Sequence, residues 1–289
     1  MTEAADRPGR AALWMLGSVL SFSAMAVAGR NVSAVHDSFE ILTARSAVGL
    51  ALVLAYGLAT GRLGEVPFRN LGGHGLRNAV HFLGQNLWFW ALTQIPLAQL
   101  FALEFTSPLW VILLAPLFLA ERLTLLRLAA AALGFLGVLI VARPDPAALN
   151  LGVMAATGAA LAFASVAILT KRLTRGTSVL GILFWLTAMQ FGLGLICAGW
   201  DGHLAWPTAQ TLPWLVLIGF CGVFAHLSLT TALSMAPAGF VVTIDFLRLP
   251  LIAVVGALAY AEPFDPWVLL GGVVIFAGIG LNLRSTRPR

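Results

Sequence analysis

Apolar residues fill most of the chain in runs of about 20, and short polar connections separate these runs. A membrane-spanning α-helix needs this length of apolar sequence, so the pattern predicts a chain that crosses a bilayer many times. The runs are continuous rather than alternating, which excludes a β-barrel. The predicted spans are residues 11–30, 38–59, 76–93, 97–119, 124–141, 150–171, 178–200, 212–234, 238–260 and 266–283.

The second half of the chain repeats the first half at a shift of 141 residues. The segment ALTQIPLAQLFALEF (91–105) aligns without a gap on ALSMAPAGFVVTIDF (232–246). This alignment pairs Glu104 with Asp245. One shift that holds along the whole unit indicates two copies of one ancestral element.

Each copy contains five predicted spans. Because five is odd, the second copy must enter the membrane from the opposite side, as in carriers that work by alternating access. The sequence therefore predicts an all-α integral membrane protein of ten transmembrane helices, arranged as two inverted five-helix repeats at 11–142 and 150–283. The boundary is RPDPAALN (143–150), where two prolines end one helix and Asn150 can cap the next.

Composition agrees with this class: the 289 residues are 60% hydrophobic and only 10% charged, with a mean hydropathy of +0.92. The net charge of +5 does not indicate nucleic-acid binding, because the basic residues are scattered over short connections.

With a cytoplasmic N-terminus, thirteen basic residues face the cytoplasm, whereas Arg30 and Arg143 face outside. This positive-inside bias predicts an inner-membrane protein with both termini in the cytoplasm. The first span resembles a signal peptide, but its counterpart in the second half favours a retained helix.

Motif searches exclude several alternative classes. The chain contains no G-x-x-x-x-G-K-[ST] nucleotide loop, so it is not expected to be an ATP-driven pump with its own nucleotide site. It also lacks H-E-x-x-H and G-x-S-x-G, which argues against an enzyme. Cys197 and Cys221 both lie in apolar segments, and no histidine or carboxylate cluster has ligand spacing. No metal and no cofactor are expected.

A resemblance to a known family rests on several features: the turns AERLT (120–124) and AEPFD (261–265), the hairpin prolines Pro96 and Pro237, the glycine-bearing last span of each half and the five-plus-five layout. Over residues 11–283 the chain resembles the EamA-type branch of the drug/metabolite transporter superfamily, and within it the bacterial amino-acid exporters. The resemblance implies a central cavity lined by the fourth and ninth spans with the first, third, sixth and eighth. The fifth and tenth spans would act as a scaffold.

Polar residues follow one face of the third predicted span. Asn78, His81, Gln85 and Trp88 are spaced i, i+3, i+7 and i+10, which places them on the same side of a helix. We expect His81, Gln85 and Trp88 to line the cavity, with packing between helices as the alternative. The related eighth span carries His226, expected to face solvent or substrate.

The fourth and ninth spans carry intramembrane charges, which are rare and usually functional. Glu104 and Asp245 occupy equivalent positions, and Arg248 lies on the same helix face as Asp245. Glu104 would face a water-filled cavity or pair with Arg248. The alternative is a purely structural Asp245–Arg248 pair, with Glu104 bonded to a neighbouring helix.

Other charged residues have a structural interpretation. Arg45 in the second span is close to Glu40, so that pairing or snorkelling would explain both. Glu121 and Glu262 lie at span ends and are expected to form turns at the interface.

The function expected from these features is secondary export of amino acids by alternating access. Arg248 would bind the substrate carboxylate and Glu104 or Asp245 its ammonium group. Trp88, Phe101 and Phe22 would contact its apolar part. Ser21 shares a stripe of the first span with Trp14, Ser18 and Met25, for which cavity lining and close packing of helices are the alternatives. The alternative is uptake or exchange of another small metabolite, nucleoside-like or vitamin-like. Glycines of the fifth and tenth spans suit either a homodimer contact or packing inside one subunit, and the sequence does not decide between them.

Overall fold

Helices make up most of the computed structural model, which describes residues 7–95, 97–121, 123–142, 150–199, 202–260 and 266–284. Within these ranges the α-helices are α1 (Pro8–Val32), α2 (Ser38–Ala59), α3 (Leu71–Gln94), α4 (Leu97–Glu104), α5 (Ser107–Leu119), α6 (Leu125–Ala142), α7 (Leu151–Leu173), α8 (Val179–Cys197), α9 (Leu212–Met235), α10 (Ala238–Thr243), α11 (Arg248–Tyr260) and α12 (Pro266–Arg284). Short 3₁₀-helices occupy Leu63–Glu65 and Ile244–Leu247.

Local capping fixes where several helices begin. Asp37 and Glu40 form a reciprocal capping box at the start of α2. The Asn150 side chain accepts a hydrogen bond of 3.0 Å from the Val153 backbone at the start of α7, as the sequence predicts. Ser178 caps α8 in the same way through the Gly181 N–H.

The fourth and ninth predicted spans are interrupted rather than continuous. Residues 105 and 106 separate α4 from α5, and the 3₁₀ segment Ile244–Leu247 separates α10 from α11. Proline has no N–H with which to bond the carbonyl four residues earlier, so Pro108 leaves the Glu104 carbonyl without its helical donor, and Pro250 does the same for Phe246. Both interruptions therefore fall at the paired acidic positions.

The helix bounds recur at the shift found in the sequence. α3 and α9 begin at Leu71 and Leu212 and end at Gln94 and Met235, so both bounds differ by 141. Helix packing follows the same correspondence. The most extensive helix contacts are α1 with α9, its counterpart α7 with α3, α2 with α8, and α6 with α12.

The α6–α12 contact depends on glycine. A Cβ atom on Gly278 would lie 2.7 Å from the Gly134 nitrogen and 2.8 Å from the Ala130 carbonyl oxygen. A Cβ atom on Gly137 would lie 2.7 Å from the Gly271 carbonyl oxygen. Of the two uses that the sequence left open for these glycines, the structure shows close packing between helices of a single chain.

Within the described ranges, five helices are long and apolar enough to cross a membrane: Pro8–Gly29, Ser38–Ala59, Leu151–Leu173, Val179–Cys197 and Leu212–Met235. Ser107–Leu119, Leu125–Ile140 and Pro266–Asn282 are shorter apolar helices. Among the remaining predicted spans, α3 carries more polar residues, including His74, Arg77 and Asn78. The count of ten spans therefore stays a prediction.

Three sequence predictions lie outside the described residues. They concern the hairpin at Pro96, the chain boundary at 143–149 and the turn at Glu262. The related Glu121 is described: its Oε1 accepts a hydrogen bond of 2.9 Å from the Ala238 backbone N–H. Glu121 therefore caps the start of α10 across the two halves of the chain, a role that the sequence prediction of a turn did not include.

Candidate substrate-binding site

Arg248, the first residue of α11, lies between two carboxylates. Its Nη2 atom donates to Glu104 Oε1 at 2.7 Å and to Asp245 Oδ2 at 2.9 Å. The indole N–H of Trp88 donates to the other Glu104 oxygen at 2.7 Å. We call these four residues the ion cluster. Glu104 accepts from Arg248 and also from Trp88 of α3. The pairing with Arg248 and the bond to a neighbouring helix, which the sequence offered as alternatives, therefore both occur.

The two carboxylates differ in their remaining capacity. Both oxygens of Glu104 are occupied, and its side chain is only 10% exposed. Among the described residues Asp245 Oδ1 has no hydrogen-bond partner, and the Asp245 side chain is 24% exposed. Arg248 Nε is likewise buried without a partner in the described part of the chain. Within these residues the cluster therefore offers an acceptor and a donor to a ligand that can both donate and accept.

Aromatic rings surround the ion cluster. The Arg248 guanidinium lies 5.5 Å from the Phe22 ring centre and 5.1 Å from that of Phe105, within the range of a cation–π contact. Phe101 packs against Trp88 and Phe105, with ring centres 6.2 and 6.3 Å away. Sequence reasoning identified Phe22, Phe101 and Trp88 but missed Phe105, which lies in the break between α4 and α5.

Two histidines extend this surface away from the ion cluster. Phe22 makes an edge contact with His226 at 5.5 Å, and His226 contacts His81 at 5.1 Å between ring centres. Neither ring nitrogen of His226 has a hydrogen-bond partner, and His81 Nδ1 has none. Phe22 of α1, His226 of α9 and His81 of α3 thus form one row of rings. The row begins beside the Arg248 guanidinium group.

The other predicted positions divide between the site and packing. Gln85 is buried, and its Oε1 has no hydrogen-bond partner. Ser21 donates to the Gly17 carbonyl within its own helix at 2.7 Å, so its hydroxyl is not directed into the cluster. Asn78 donates to the Trp185 carbonyl of α8 at 3.1 Å, which corresponds to the packing alternative.

Arg45 does not pair with Glu40, which was one of the two interpretations from sequence; snorkelling stays a prediction. Glu40 Oε1 accepts from the Ala205 backbone N–H, and its Oε2 accepts from the backbone of Asp37 and lies 3.3 Å from His36 Nδ1. Arg45 is 9% exposed and faces a small cavity that His226 also lines. Sequence reasoning therefore missed a second polar region, although an arginine inside an apolar span was the available signal.

The described cavities are too small for a metabolite. The one at Arg45 and His226 has a volume of about 10 Å³, roughly the space of a single water. The ion cluster is itself closed by its own hydrogen bonds and by the rings around it. A substrate at the ion cluster would therefore have to displace some of these contacts.

The fold and these intramembrane charges define an α-helical, multi-pass membrane transporter. The sequence profile of the EamA-like transporter family matches residues 9–143 and again 150–284. The chain therefore belongs to the EamA-like transporter family, which makes it a transporter and not an enzyme.

Several relatives are similar over nearly their whole length. A riboflavin transporter of Vibrio cholerae is 30% identical over 94% of this chain and 92% of its own. A riboflavin transporter of Rhizobium johnstonii is 31% identical over 100% and 96%. An S-adenosylmethionine uptake transporter of Rickettsia bellii is 27% identical over 91% and 89%.

A solved crystal structure has the same fold. It superposes with a TM-score of 0.81 at 18% sequence identity, and the match covers 94% of this chain and 95% of the other.

Proposed function

We propose that this protein is an uptake carrier for a vitamin-like metabolite with a planar ring system, and that riboflavin is its substrate. The observation that carries the proposal is the near full-length similarity to two proteins named as riboflavin transporters, at 30% and 31% identity. Amino-acid export, the leading expectation from sequence, receives no support from these relatives. The alternative expectation, uptake of a vitamin-like or nucleoside-like compound, agrees with their names.

The ion cluster and its rings suit such a substrate. Trp88, Phe101 and Phe22 offer aromatic surface on which a flat heterocycle can stack. Arg248 Nε and Asp245 Oδ1 are unpaired and can bond ring carbonyls, ring N–H groups or hydroxyls. Glu104 positions Arg248 in this arrangement, and His81, Gln85 and His226 continue the polar wall.

Transport would proceed by alternating access between two inverted halves, at 11–142 and 150–283. The shared shift of 141 in helix bounds and the corresponding helix pairings support this arrangement. Two interrupted helices would meet at the substrate, as expected for carriers built from inverted repeats. The distribution of basic residues supports an inner-membrane location with both termini in the cytoplasm.

Counterflow in proteoliposomes tests the substrate. Vesicles containing the purified protein are loaded with unlabelled riboflavin and diluted into a trace of labelled riboflavin. We expect saturable accumulation of label that unlabelled riboflavin inhibits and a mixture of amino acids does not. Vesicles without protein give the background, and the Arg248→Gln variant gives the inactive control.

Exchange of labelled amino acids without exchange of riboflavin would contradict the proposal and support amino-acid transport as the function. Absence of both, from protein that elutes as a single folded species, would reject riboflavin and leave the family membership unchanged. S-adenosylmethionine is the next compound to test, because one relative is named for its uptake.

A further inference from the structure

A second charged region lies on the other side of Phe22 from the ion cluster. Arg45 of α2 and Arg77 of α3 are both buried, at 9% and 1% exposure. Burying a charged group without a charged partner is costly, so these two buried arginines require an explanation.

No carboxylate compensates these two cations within the described part of the chain. Arg77 donates to the Thr170 hydroxyl at 3.2 Å and to the Asn78 amide oxygen at 2.9 Å, and both acceptors are neutral. Arg45 makes no hydrogen bond or ion pair with any described residue. The two guanidinium groups act electrostatically on each other and on the nearby His81 and His226.

The surrounding residues form a cradle for the Arg45 side chain. A Cβ atom on Gly222 of α9 would lie 2.6 Å from Arg45 Nε, so glycine leaves the room that the guanidinium occupies. The cavity beside it is lined by Ser46, Thr187, Gln190 and His226, which are polar but uncharged or weakly basic. Both ring nitrogens of His226 are buried without partners among the described residues. The cavity measures about 10 Å³, so an oxyanion would enter only after the Arg45 and His226 side chains move apart.

We propose that this cradle is an oxyanion-binding site, in which Arg45 and His226 bind a carboxylate or phosphate group and Arg77 adds positive potential. A guanidinium group presents parallel N–H donors that match two oxygens of such a group. The excess positive charge here contrasts with the ion cluster, where two carboxylates share one guanidinium. An oxyanion would neutralise the buried cations and use donors that have no protein partner.

The anion has two possible sources, a free ion or an anionic group of the substrate itself. The row of rings from Phe22 to His226 connects the cradle to the ion cluster, so a single elongated molecule could occupy both. The existence of the anion site does not depend on the proposed function.

Thermal unfolding of the purified full chain tests the site without any transport. Inorganic phosphate is titrated at pH 7 against sodium chloride of matched ionic strength. We expect a saturable rise in the unfolding temperature of the wild type. In Arg45→Gln the phosphate concentration for half of this rise should increase about tenfold or more, because a charge-assisted contact is lost.

Two further variants separate binding from folding. Gly222→Ala keeps every charge but displaces the end of the flexible Arg45 side chain, so it should weaken phosphate binding in the same way. Arg62→Gln alters an exposed arginine that pairs with Glu65 at 2.6 Å, and it should respond to phosphate like the wild type. A phosphate response that is absent in the wild type, or unchanged in both Arg45→Gln and Gly222→Ala, would overturn the proposal.

Competition then identifies the source of the anion. Riboflavin 5′-phosphate differs from riboflavin only by its phosphate ester. If the ester inhibits riboflavin counterflow more strongly than riboflavin does, and Arg45→Gln removes only that advantage, the site binds the anionic group of a substrate. If phosphate stabilises the protein while the ester gains no advantage, the site binds a free anion.

Discussion

One guanidinium group holds two carboxylates at the centre of this transporter. Arg248 bonds Glu104 across the two halves and Asp245 within one turn of its own segment. Removing one member of a buried ion pair typically costs about 3–5 kcal/mol, because the remaining charge is left uncompensated. Arg248 should therefore matter more than either carboxylate alone.

The Arg248→Gln and Trp88→Phe variants should separate these contributions. Arg248→Gln leaves both carboxylates unpaired and should abolish counterflow. Trp88→Phe keeps an aromatic ring but removes the hydrogen bond to Glu104, which is worth about a tenfold to hundredfold effect for a charged acceptor. Initial exchange rates from equal amounts of folded protein provide the measurement.

Arg62→Gln is the matched control for this pair, since Arg62 lies in a connection and its bond to Glu65 is exposed. Exchange by Arg248→Gln at the wild-type rate would show that the ion cluster has no part in transport.

At the scale of helices, α6 and α12 are joined by a seam of glycines. The atoms that a Cβ on Gly278 would meet are backbone atoms of Gly134 and Ala130, which cannot move aside as a side chain can. A Cβ atom added to Gly280, two residues further along α12, would have no other atom within 4 Å. Gly278 and Gly280 therefore lie in the same helix, but only Gly278 is closely packed.

Gly278→Ala should destabilise the protein by about 1–3 kcal/mol through overpacking. Gly280→Ala should be neutral or slightly stabilising, because alanine favours the helix over glycine. Thermal unfolding in detergent compares the two variants directly. Equal unfolding temperatures would mean that α6 and α12 are not in close contact in solution.

At the scale of the whole molecule, the equivalence of the two halves predicts opposite orientations in the membrane. The connection after α1 and the connection after α7 are counterparts, with Val35 and Gly176 at matching positions. Both residues are exposed. In an inverted repeat, the first connection lies outside the cell and the second lies in the cytoplasm.

Cysteines introduced at Val35 and Gly176 test this orientation. In a background with Cys197→Ala and Cys221→Ala, a membrane-impermeant maleimide should label Val35→Cys in intact cells. Gly176→Cys should be labelled only after the membrane is permeabilised. Labelling of both sites from outside would contradict the inverted arrangement.

The candidate site was partly predictable because its charged members lie within a few residues of one another or at matching repeat positions. Glu104, Asp245 and Arg248 were identified from apolar spans that contain charge, and Trp88 from helical spacing. Phe105 was missed because a phenylalanine in an apolar span carries no distinctive signal. The Arg45–Glu40 pairing, one of the two sequence interpretations, was wrong because the backbone of Ala205 occupies that carboxylate in the fold.

By itself, the sequence determined the helical membrane class, the 141-residue shift and the candidate intramembrane charges, because apolar length and periodicity are local properties. Only the tertiary structure decided which groups meet. Glu104 and Arg248 are 144 residues apart, and His81 and His226 contact each other across two helices. It also decided that the helices break at the paired acids and that Arg45 has no hydrogen-bond partner among the described residues, since both depend on how helices distant in the chain pack together.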